Sequence, residues 1–209
     1  MSMPSIPRGW LAFALCCAWA AHPCPAQGLF RTIKARLGPP VVPELMGGCS
    51  LRCAFSWTVD VLSAGDSKPK PVYATNDDCA PTAWVDAAVQ GSVGSKLAFK
   101  FPARLYPELE GTPFYGIDII NGQWLPDDGT DRPEKQWRAH ARIKKMRLIY
   151  NGRPLYYIDL IDTRRWQSVA FEDIPAHSGD TVTLEILEIY PGTETRDAAV
   201  SEVVLQGAH

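Results

Sequence analysis

The 209-residue chain is short of the features that mark most enzymes and nucleic-acid binders. An excess of one charge is missing: 21 Lys and Arg face 23 Asp and Glu, for a formal net charge of −2. Without a basic stripe there is no footprint for a phosphate backbone, so nucleic acid is not an expected partner. Histidine is scarce, at four residues, and no two stand at the helical spacing of a metal-ligand pair. A Gly-rich phosphate loop and a nucleophile elbow are both absent. No apolar run approaches the roughly 20 residues that a membrane-crossing helix needs. What is present is 46% hydrophobic residues with 10% aromatics, too apolar for a disordered chain and enough for one domain with a real core.

The longest apolar stretch, Trp10 to Ala21, follows a single cation, Arg8, and is broken by His22 and Pro23. At about 12 residues it is too short to span a bilayer. Cys24-Pro25-Ala26 then offers small residues for a cut before Gln27, so residues 1–26 read as a cleaved secretory signal and the mature chain is expected to be secreted or periplasmic. Cys16, Cys17 and Cys24 leave with that signal, while Cys49, Cys53 and Cys79 remain. In an oxidising compartment three thiols form one bridge and leave one over; Cys49 and Cys53 can close a small loop, or either can reach Cys79. A zinc site lacks a fourth ligand at any familiar spacing.

Pro39-Pro40 and Pro43 favour an extended path, so residues 27–48 are expected to be a leader and residues 49–209 the domain. Within the domain, alternation dominates. Leu97, Phe99 and Phe101 alternate with polar or small residues, and Ile117 and Ile119 flank Asp118 ahead of the turn dipeptide Asn121-Gly122. Asn151-Gly152 separates two apolar runs and predicts a β-hairpin. Long strands are expected over Thr181–Tyr190 and Val200–Leu205, and helical periodicity is weak outside one turn near Ala83–Val89. Short strands with Gly and Pro punctuation predict an all-β sandwich.

Two clusters carry chemistry. In the first, Asp77, Asp78 and Thr82 lie in an acidic turn, and with Glu202 of the last strand they can supply oxygens to a hard cation such as Ca²⁺. The same turn can equally be an Asx-turn with a cap. The second is the polar loop Asn121–Asp131, followed by Trp137, His140 and Arg142. An exposed Trp124 or Trp137 can stack on a sugar ring while Asn121, Gln123 and Arg142 meet its hydroxyls. Alternatively, either Trp caps the end of the sandwich. His177-Ser178 is a sequence neighbour pair rather than a catalytic triad, which requires spatial convergence, and reads as a polar turn before the strand at Thr181.

From Cys49 to Gly207 the order of motifs resembles a discoidin-like (F5/8 type C) module, and most closely the glycan-binding translocation domain attached to secreted bacterial NAD glycohydrolases. The residues that carry the resemblance are Gly47-Gly-Cys-Ser-Leu-Arg-Cys53, Thr82-Ala-Trp-Val-Asp86, Ile119-Ile-Asn-Gly122, Arg142-Ile-Lys-Lys145, Ile189-Tyr-Pro-Gly192 and Val200-Ser-Glu-Val-Val-Leu-Gln-Gly207. The resemblance implies a galactose-binding-like jelly roll that binds a glycan or glycoconjugate through loops at one end. It also implies a structural Ca²⁺ held by Asp77, Asp78, Thr82 and Glu202. Gln123 stands where an aromatic is usual and His140 where Asn is commoner, so the identity of the sugar does not carry over. The module and its leader account for the chain, so the NAD-hydrolysing activity is not expected. The expectation is therefore a non-catalytic carbohydrate-binding module, with a protein-interaction module of the cell envelope or of a secreted toxin system as the alternative.

Overall fold

The computed structural model describes residues 30–40, 60–61, 83–86, 91–101 and 111–207. Cys49, Cys53, Cys79, Asp77, Asp78, Thr82 and the expected signal 1–26 lie outside these residues. Eleven strands and one helix occur among the described residues: β1 (Arg31–Lys34), β2 (Arg36–Leu37), β3 (Asp60–Val61), β4 (Trp84–Val85), β5 (Lys96–Lys100), β6 (Thr112–Asn121), α1 (Arg132–Ala139), β7 (Arg142–Tyr150), β8 (Arg153–Asp159), β9 (Trp166–Ala176), β10 (Thr181–Tyr190) and β11 (Ala199–Gly207). They form two sheets, a six-stranded one in the order β1-β8-β7-β10-β5-β3 and a five-stranded one in the order β2-β9-β6-β11-β4.

Alternation builds the sandwich. Val182, Leu184 and Ile186 of β10 are fully buried, while Thr181, Thr183 and Glu185 between them keep some exposure. They meet Leu97 and Phe99 of β5, Met146 and Leu148 of β7, Phe114 and Ile117 of β6, and Val203 of β11 in one continuous core. Burying side chains of this size contributes about 1.5–3 kcal/mol each. The hairpin expected at Asn151-Gly152 is present: Asn151 has φ 47° and Gly152 φ 76°, the left-handed pair that a two-residue turn between β7 and β8 requires. The polar turn before β10 is also present, with Asp180 Oδ2 accepting from the His177 N–H at 2.8 Å.

Three expectations change. Within the expected leader 27–48, residues 31–37 belong to the sheets: β1 pairs in parallel with β8 and β2 pairs antiparallel with β9. One short segment thus closes the open edge of both sheets, pivoting at buried Ala35, whose N–H donates to Asp159 O at 2.9 Å. Proline opposes helix but is compatible with an edge segment, and Pro39-Pro40 follows β2 after Gly38. The turn expected near Ala83–Val89 is strand at Trp84–Val85, fixed by pairing with Val200 and Ala199. Finally, α1 was not legible as a helix. It is eight residues long with Pro133 in its first turn, and three of its residues are buried: Pro133, Trp137 and Ala139.

Candidate functional site

Four connections meet at one end of the sandwich: the β6–α1 loop, the α1–β7 link, the β8–β9 turn and the β10–β11 turn. Arg142, at the start of β7, ties three of them together. Its Nε and Nη2 each donate to the Asp162 carboxylate at 3.0 Å, in a bidentate pair with the β8–β9 turn. Nη1 donates to His140 O at 2.9 Å and to Pro191 O at 3.0 Å. The guanidinium carbon also lies 4.6 Å from the centre of the Trp137 ring, a cation–π contact.

The fourth connection is held through Asn121. Its side chain makes a two-way bond with the backbone of Ile143 across the two sheets, donating to the carbonyl at 2.7 Å and accepting from the N–H at 2.9 Å. Trp137 Nε1 donates to Asn121 O at 2.8 Å. The next residue, Gly122, has φ 91°, and a Cβ there would collide with the Trp137 indole and lie 2.9 Å from Arg142 Cγ. Only glycine fits both the backbone and the space. Arg164 adds a further brace, donating to Leu125 O at 2.8 Å and pairing with Asp127 at 2.9 Å.

The expected ligand residues therefore divide. Neither Trp is an exposed platform: Trp124 is 5% and Trp137 2% exposed, so both cap the sandwich end. Trp124 packs with Ile120 and Trp166, and its backbone N–H donates to the buried Ser201 hydroxyl at 2.9 Å. Asn121 and Arg142 are buried as well, with their polar groups turned to the protein. For Asn121, Trp137 and Arg142 the physical reason is that loops carry backbone groups that must be satisfied, and these side chains satisfy them; the Trp124 ring is buried by apolar packing instead. Gln123 and His140 keep part of their surface in solvent; Gln123 Oε1 accepts from Gln136 at 2.8 Å, and His140 Nδ1 lies 3.5 Å from Thr195 Oγ1.

Of the expected metal ligands, Glu202 is described and is fully buried in β11, opposite Ile120 of β6 and two residues beyond the Val200–Trp84 pair. Among the described residues no group of three His, Cys, Asp or Glu side chains is placed to hold a metal ion.

Sequence reasoning missed a second polar cluster, beside this end on the solvent side of the six-stranded sheet. Lys144 Nζ lies 2.8 Å from Glu188, and Lys145 Nζ lies 3.7 Å from Asp159. Hydrogen bonding and the charge of Glu188 hold the Lys144 ammonium above its ordinary range, and the same contact holds the Glu188 carboxyl below its own. Adjacent lysines on one strand gave no sign of acting together, because regular strands send neighbours to opposite faces.

No helix among the described residues is long and apolar enough to cross a membrane. No curated protein matches the chain. Residues 59–206 match the family described as the NAD glycohydrolase translocation F5/8 type C domain, the translocation part rather than the catalytic part of such enzymes. The two-sheet sandwich fits that description, and the chain belongs to the NAD glycohydrolase translocation F5/8 type C domain family.

Proposed function

We propose that the protein is a secreted, non-catalytic module that binds carbohydrate at the loop end of the sandwich. The observation that carries this reading is the single guanidinium of Arg142 joining three of the end connections, which presents a pre-organised surface instead of four independent loops. Pre-organisation lowers the ordering cost that a weak, shallow site cannot otherwise meet. In this reading Gln123 and His140 face the ligand, while Asn121, Trp124, Trp137 and Arg142 set the loops. Affinity from one shallow site is expected in the millimolar to micromolar range, about 4–8 kcal/mol. Secretion rests on the signal pattern of residues 1–26.

A structural Ca²⁺ belongs to the same proposal. Glu202 is a fully buried carboxylate on the last strand and is a member of the expected ligand set that the fold fixes in place. In this proposal Asp77, Asp78 and Thr82 supply the remaining protein oxygens. A melting temperature that falls in chelator and recovers on adding Ca²⁺ is the expected result; an unchanged one counts against the site.

The family description as a translocation domain favours a second reading, recognition of a protein partner by the same loops. A glycan array probed with the full chain, with and without Ca²⁺, separates the two. Binding to defined glycans supports the first reading. Silence on the array together with a specific co-purifying protein supports the second.

A further inference from the structure

Resting on the carbohydrate reading above, we propose that the glycan held at Gln123 and His140 extends into the concavity beside the loop end, and that the unit seated there is uncharged: a pair of neighbouring hydroxyls on a neutral sugar ring. The concavity has a volume of about 350 Å³ and is lined by Lys144, Lys145, Asp159, Leu160, Glu188 and Tyr190.

It arises from an irregularity in the β7–β10 ladder. The pairing shifts between Ile186 and Glu188 and again between Glu188 and Ile189, so that Glu188 opposes Lys145 and Ile189 opposes Ile143. A bulge bends its strand and re-aims side chains, a device that recurs next to binding sites. Here it lets two consecutive lysines border one hollow. The Tyr190 hydroxyl donates to Leu160 O at 3.0 Å, fixing the aromatic wall, and Lys145 Nζ also lies 5.6 Å from the centre of the Tyr157 ring.

The charge pattern selects the ligand class. Two ammonium groups and two carboxylates alternate, in pairs whose side chains are 50% and 45% exposed (Lys144, Glu188) and 30% and 37% exposed (Lys145, Asp159). A sulfate or phosphate meets two carboxylates, and a cation meets two ammonium groups, so any net charge is opposed by half the lining. A hydroxyl is both donor and acceptor: it donates a hydrogen bond to a carboxylate while accepting one from the neighbouring ammonium. Adjacent hydroxyls therefore satisfy a Lys–carboxylate pair without bringing in a charge, and the Tyr190 ring offers apolar surface to the sugar's C–H face.

The test titrates the full chain with neutral oligosaccharides ending in galactose, glucose or mannose and with their sulfated counterparts. Neutral glycans are expected to bind, and sulfated ones about tenfold more weakly or worse, the equivalent of one lost charge-assisted bond. Glu188→Gln and Lys144→Met are each expected to weaken the neutral ligand about tenfold with an unchanged melting temperature, since an exposed pair adds little to stability. Preference for the sulfated series overturns the ligand class. Neutral binding untouched by both variants overturns the site and leaves the carbohydrate reading standing. Absence of binding to any glycan overturns both.

Discussion

Replacing Arg142 by Met tests whether this residue is a clamp or a ligand contact. The variant keeps the length of the stem and removes the charge. It breaks the bidentate pair with Asp162, leaves His140 O and Pro191 O without their donor, and removes the cation–π contact with Trp137. Removing one partner of a buried pair costs about 3–5 kcal/mol. The Asp162 side chain is 31% exposed and regains some hydration, which places the expected loss near the lower end, about 3 kcal/mol. For a domain of this size that is a fall in melting temperature of about 6–12 °C. In urea the midpoint should fall while the slope stays constant, because the surface exposed on unfolding is unchanged. Arg142→Lys should recover only part of the loss, since an ammonium cannot reproduce the fork. A variant within about 1 kcal/mol of the parent, or one that loses glycan binding at full stability, would refute the clamp.

Gly122→Ala should cost about 3 kcal/mol in the same denaturation assay, from a left-handed backbone and from the overlap with Trp137; a neutral effect would mean that the β6–α1 loop is free to move. Ala35→Arg should detach β1 and β2, lower the melting temperature and promote concentration-dependent association through the freed edges of β8 and β9, measurable by light scattering. For Asp180, burial raises the carboxyl pKa, but hydrogen bonds from Tyr150, Asn151 and the His177 N–H together outweigh it and the net shift is downward. A lowered carboxylate stabilises above its unfolded pKa, and that stability is lost as pH falls through the folded value. Asp180→Asn should therefore flatten the acid limb of the stability–pH curve, and an unaltered limb would show that another carboxylate governs it.

The all-β class, the hairpin at Asn151-Gly152 and the bounds of β10 were legible in the sequence, because alternation and turn chemistry are local properties that the backbone reads over a few residues. The family was legible too, through short motifs in order. Asn121, Trp124, Trp137 and Arg142, which the sequence grouped together, do gather at one end of the sandwich. The sequence did not decide which way these residues face. Trp124 and Trp137 fit a stacking platform or a cap equally well by residue type, and burial chose the cap, because loop carbonyls and the sandwich end needed cover. β1 and β2 were hidden because their pairing with β8 and β9 spans more than a hundred residues of sequence. α1 was hidden by its brevity and its leading proline. The concavity at Lys144 and Glu188 was out of reach altogether, since it depends on a shift of register between two strands, and register is fixed by packing. Local pattern thus determined the long strands and their hairpin, and only the tertiary fold decided the edge strands, which polar groups hold the structure together and which are left facing solvent.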